Sequence, residues 1–130
     1  MKLKKALTIL ITTVLAITIL TVSVCAWSFV VGGRVVDTTL SVTGVTATAT
    51  VEAPSDVSLS NINIEVSGYY EKADGSVDIA FAQAKGSGRY LECRLIMPTD
   101  GIKWTDKIVA YYAATYNNDS SSTSITKLVY

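Results

Sequence analysis

The side chains in this chain that could do chemistry are few, and one absence narrows them at once. There is no histidine. That removes Ser-His-Asp and Cys-His catalysis, histidine-based zinc sites and imidazole pH switching together. Two cysteines are present, Cys25 and Cys93. Cys93 stands in phase with Leu91, Leu95 and Met97 in an alternating stretch. It therefore reads as a buried, inert thiol with no base to activate it. The carboxylates Asp78, Glu92, Asp100 and Asp106 are candidates for glycoside hydrolysis, which needs two acids at a set separation in a cleft. No spacing among them selects a pair, and a small domain of short loops has little room for a cleft. Calcium takes oxygen ligands from loops, and Asp74-Gly75-Ser76-Val77-Asp78 and Asn117-Asn118-Asp119 are candidates. Neither completes a calcium-loop pattern, and Asp, Asn and Gly are what hairpin turns require in any case. The chain reads as a non-enzyme without cofactor or metal.

Aromatic side chains carry the remaining hypothesis. Tyr69, Tyr70, Trp104, Tyr111, Tyr112 and Tyr116 are amphipathic rings of the kind favoured at recognition surfaces. If the pairs Tyr69-Tyr70 and Tyr111-Tyr112 lie in strands, alternation places one ring of each pair on each face. Exposed rings could stack on sugars or dock a protein. The competing reading has Trp104 plugging one end of the domain and the tyrosines bracing cross-strand pairs.

The elements that must position these residues are strands. From Thr38 onward apolar residues recur with period two. Leu40 and Val42 share a face, and Val45, Ala47, Ala49 and Val51 share the next, with a phase change at Gly44 that calls for a bend or bulge. Ile62, Ile64 and Val66 point in, opposite Asn61, Asn63, Glu65 and Ser67. Asp74-Gly75 marks a hairpin turn into Val77, Ile79 and Phe81, which alternate with Asp78, Ala80 and Ala82. Lys85-Gly86-Ser87-Gly88 reads as the next turn, before Leu91, Cys93, Leu95 and Met97. After a connection holding Trp104, Ile108 to Tyr116 is apolar on both faces and suits a central strand. Asn117 to Ser122 reads as a polar turn and Ile125 to Tyr130 as a final strand. No apolar stripe of helical spacing appears. Six or seven strands in about 100 residues predict an all-β antiparallel sandwich of immunoglobulin-like architecture, or a small barrel. The Cys…Trp…Cys signature of antibody domains is absent, so that label describes architecture alone.

Export is read from the N-terminus. Lys2, Lys4 and Lys5 precede an uncharged apolar run from Ala6 to Val24. Val24-Cys25-Ala26 offers acceptable −3 and −1 residues for cleavage before Trp27. The resulting organisation is a hydrophobic signal helix over 1–26, a lead-in or short first strand over 27–37, and a sandwich over 38–130. The run is long enough that an uncleaved anchor is the rival reading. Either way the basic start stays inside and the domain is outside the membrane, touching it only through the N-terminal segment. Lipidation at Cys25 is disfavoured by Val24 before it. Of 130 residues, 49% are hydrophobic, and acidic and basic residues balance at eleven each. With the three leader lysines set aside, eight basic residues face eleven acidic ones, a net of −3 that argues against nucleic-acid binding. In composition the chain is similar to small exported bacterial proteins. The function expected is a non-catalytic extracellular binding or structural module, with an extracellular protein or glycan as partner. The alternatives are a secreted bacteriocin-like effector or enzyme inhibitor, and a surface assembly subunit using edge-strand pairing.

Overall fold

A computed structural model describes residues 23–129, and every regular element among them is a strand. In chain order these are β1 (Ser23–Val31), β2 (Arg34–Thr43), β3 (Thr46–Glu52), β4 (Leu59–Lys72), β5 (Val77–Gly88), β6 (Tyr90–Ile96), β7 (Gly101–Tyr116) and β8 (Asp119–Val129). They form two antiparallel four-stranded sheets, ordered β1-β2-β3-β6 and β5-β4-β7-β8. The inner faces meet in a core of aliphatic side chains around Leu40, Val51, Ile62, Ile64, Val66, Ile108 and Tyr112, all essentially inaccessible to water. This is the sandwich solution to burying one apolar face per sheet. Residues 23–26, read as the end of the signal helix, lie in strand β1 instead, and the rest of that helix, residues 1–22, lies outside the described residues.

Four stretches differ from the sequence reading. The segment 27–37 is paired nearly throughout, because Gly32 and Gly33, at φ 56° and 74°, turn β1 back onto β2. Lys85-Gly86-Ser87-Gly88 is not a turn. It continues β5, and the chain changes sheets beyond it, at Arg89. The polar segment 117–122 contains only a two-residue turn, Asn117 and Asn118, with φ 50° and 60°. Asp119 already belongs to β8. Trp104 lies within β7 rather than in a connection, because β7 runs on past an irregularity in its pairing with β4 between Gly68 and Tyr69, beside Asp106 at φ 64°.

The most consequential difference is the phase of β5. Val77, Ile79 and Phe81 face solvent, exposed by 56%, 53% and 61%. Ala80 is buried, and Ala82 and Ala84 pack against the core. The hairpin register explains this. Gly68 is opposite Ala80 and Tyr69 opposite Ile79, so the inward phase of β4 continues into the alanines. Space supplies the reason. At this flank β6 closes over β5, and a Cβ on Gly86 would sit 3.1 Å from the Leu91 side chain. Small residues fit the crowded seam, and the large ones are turned out.

The two layers are joined by polar bonds as well as by packing. The Tyr112 hydroxyl on β7 donates to the Thr39 carbonyl on β2, across the core. Burial pushes that phenol well above its ordinary value, so it stays a neutral donor. Thr38, the one buried polar residue among those described, donates its hydroxyl to the Trp27 carbonyl at 3.0 Å. A buried hydroxyl is tolerated there because it has a partner.

Candidate functional site

The aromatic candidates divide by face. Tyr70, Tyr112 and Trp104 are core residues. Tyr69 and Tyr111, about two-fifths exposed, project from the outer face of the β5-β4-β7-β8 sheet. Tyr116 is half-buried, with its ring close to Gly32. The outer face thus gathers two of the six rings. Tyr111 lies opposite Glu65 on β4, and Tyr69 is four residues further along that strand. At about 3.3 Å per residue the two are roughly 13 Å apart and form no continuous platform.

The face has two halves. Around Tyr111 it is polar. Here Ser60, Asn61 and Asn63 of β4, Lys85 and Ser87 of β5, Ala113 and Thr115 of β7, and Ser120 and Ser122 of β8 line an open groove of about 790 Å³ with the tyrosine ring. Bonded side chains border it. The Gln83 amide donates to Asn63 Oδ1 at 2.9 Å and to Glu65 Oε1 at 3.0 Å. The Thr115 and Ser120 hydroxyls are 2.8 Å apart. These contacts hold Asn63, Glu65 and Gln83 in a fixed arrangement beside the ring. Around Tyr69 the face is apolar, with Ile79 opposite it, Phe81 opposite Ser67, and Val77 opposite Glu71.

The other candidates are occupied by structure. Asp78 and Asp100 are brought together at Lys72, whose ammonium lies 3.2 and 3.5 Å from them. Both carboxylates are more than half exposed, with no enclosing cleft. The Ile79 amide and Lys72 hold the Asp78 carboxyl below its ordinary range, the wrong direction for a proton donor. Glu92 bonds Arg94 at 2.6 Å on the outer face of the other sheet. Asp106 lies at the β7 irregularity. In the first calcium candidate, Asp74 accepts from the Ser76 amide and hydroxyl at 2.9 and 2.6 Å, which is turn chemistry. In the second, Asp119 accepts from the Gly32 amide at 2.7 Å and secures the β1–β2 turn. Among the described residues no three acidic or thiol groups converge as a metal cluster would require. Cys93 is buried and its thiol is pushed up by burial, away from the reactive thiolate. Cys25, Leu40, Ala49 and Cys93 form one row across the first sheet. The two thiols are thus three strand spacings, roughly 14 Å, apart and cannot bridge.

The sequence reading missed Phe81, Ile79 and Val77 as surface residues and Gln83 as part of a polar network. One signal was available: the alternate phase of β5 holds Ala80, Ala82, Ala84 and Gly86, a run small enough for a close contact between sheets. Comparison with protein-family profiles and with curated proteins finds no significant match to this chain.

Proposed function

We propose that this chain is an exported, non-catalytic binding module of immunoglobulin-like architecture that takes a glycan on the outer face of the β5-β4-β7-β8 sheet. The single observation that carries the reading is the Tyr111 groove. A sugar presents C–H faces to an aromatic ring and hydroxyls to amides and serine oxygens. The groove supplies one ring edged by Asn61, Asn63, Ser120 and Ser122, and its volume lies within the usual range for ligand sites. The strand order supports the architectural part. β2-β3-β6 against β5-β4-β7-β8 matches the A-B-E and C′-C-F-G arrangement of immunoglobulin-type sandwiches, with β1 added outside β2.

The test is a glycan array probed with the exported protein and with Tyr111→Ala. Loss of a stacking ring worth about 1 kcal/mol weakens binding several-fold to tenfold. Failure to bind any glycan, or equal binding by the variant, overturns the reading. A second reading, assembly with another copy of this chain, is favoured by Val77, Ile79 and Phe81 on an edge strand. Two β5 strands paired antiparallel about Ile79 would set Val77 against Phe81 with no like charges opposed. Concentration-dependent self-association abolished by Ile79→Lys would establish it.

A further inference from the structure

We infer that the Tyr111 groove takes an acidic saccharide, whose negative charge seats on Lys85. The inference rests on the glycan reading above and adds to it the charge of the ligand.

The outer face is a grid of cross-strand rows. Lys85, Asn63, Ala113 and Ser122 stand in one row across the four strands of the sheet. Gln83, Glu65, Tyr111 and Ser124 make the next. Ala113 is the smallest side chain of its row, so it floors the groove, and the Tyr111 ring walls one side.

Lys85 is the one charged residue lining the groove, and it is exposed. Arg34, Lys72, Arg94 and Lys103 each lie within 3.5 Å of a carboxylate. Lys85 has no carboxylate at ion-pair distance among the described residues. Glu65 is its diagonal neighbour in the register. The Oε1 atom of Glu65 accepts from the Gln83 amide at 3.0 Å and from the Asn63 amide at 3.4 Å. Neutral donors thus hold that acid, and the ammonium is left to a ligand.

Two strand spacings and one row separate Lys85 from Tyr111, about 12 Å between Cα atoms. A sugar stacked on the phenol ring brings an acid group, on itself or on the next sugar, within reach of the four-carbon lysine stem. A neutral sugar fills the same groove and leaves the ammonium hydrated. From Ser23 onward eight basic residues face eleven acidic ones. The domain as a whole therefore repels anions mildly, and attraction for an acidic sugar has to be local. An exposed ion pair of this kind changes affinity about two- to fivefold.

The exported protein is titrated on an array of uronic-acid, sialylated and sulfated oligosaccharides. Each stands beside a neutral form made by esterifying the carboxylate or removing the sulfate. The acidic form is expected to bind about two- to fivefold more tightly than its neutral form, with the preference fading near 1 M salt. Whether the carboxylate or the sulfate series shows the preference identifies the acid, and either supports the inference. Lys85→Gln should remove the preference while keeping the binding of the neutral form, and Lys85→Arg should keep both. Lys107→Gln, at an exposed position six residues along β7 from Ala113, should change neither. Equal binding of acidic and neutral forms, or a preference that survives Lys85→Gln, overturns the inference and leaves the glycan reading standing. An array with no bound member defeats the glycan reading, and the inference with it.

Discussion

Exchanging Phe81 for threonine separates the two descriptions of β5. In the structure the ring is 61% exposed, with Ser67 opposite it on β4. Its removal costs only lateral contacts and some strand preference, about 0.5–1 kcal/mol. Were Phe81 a core residue, as alternation alone suggests, the same change would open a cavity and cost about 3–5 kcal/mol. For a domain near 100 residues each kcal/mol moves Tm by roughly 4–8 °C. The expected drop is therefore no more than about 8 °C, against upwards of about 12 °C for a buried ring. Ala80→Leu is the reciprocal change. Ala80 is buried opposite Gly68, at which an added Cβ would meet Trp104 and Ile108 at 3.0 and 3.1 Å, so the larger side chain overpacks the core there and costs about 1–3 kcal/mol. Urea unfolding of both variants, with unchanged m-values, is the assay. A Phe81→Thr penalty above about 3 kcal/mol with a neutral Ala80→Leu would refute the assigned phase.

Three further outcomes are expected. Tyr112→Phe keeps the ring but loses the bond to the Thr39 carbonyl. Stability should fall by about 0.5–1.5 kcal/mol in chemical denaturation, and an unchanged midpoint would show that the bond contributes nothing. Hydrogen-bond donors hold Asp56, Asp74 and Asp78 below their ordinary carboxyl value of 3.8, Arg34 for the first, Ser76 for the second, the Ile79 amide and Lys72 for the third. A depressed folded value stabilises the fold above the unfolded value and loses that effect as pH falls through the folded one. Tm should therefore hold down to about pH 4 and decline below it, with a shallower decline in Asp56→Asn. Thiol reagents should modify half-buried Cys25 in the native protein and reach buried Cys93 only after unfolding. Equal rates at both thiols would contradict the burial of Cys93.

The parts of the fold legible in the sequence were those with one apolar phase. β4 has Ile62, Ile64 and Val66 on one side and Asn61, Asn63 and Glu65 on the other, so its face could be read directly. β6 was equally plain, with Cys93, Leu95 and then Met97 facing in. β5 was not, because both of its phases are apolar. The choice between them is made by the hairpin register and by the closeness of β6, and both are long-range properties. Strand ends were blurred for a similar reason. The glycines of β5 and the serines of β8 look like turn residues locally but are held in ladders by β4 and β7. Of the candidate surface, alternation foretold that one ring in each tyrosine pair would point outward. It could not foretell that Tyr69 and Tyr111 belong to one face, since that depends on the pairing of β4 with β7.

The direction of β1 has one last consequence. Ser23 starts that strand opposite Val42, at the end of the sandwich where Gly101 approaches Met97 and Tyr70. Gly32, just beyond its far end, meets Tyr116 and Asp119 at the end that bears the Tyr111 groove. Nine residues of extended chain, roughly 30 Å, separate the two. Any support holding the protein at the Ser23 end of β1 would thus leave the groove on the far half of the outer face, clear of the attachment.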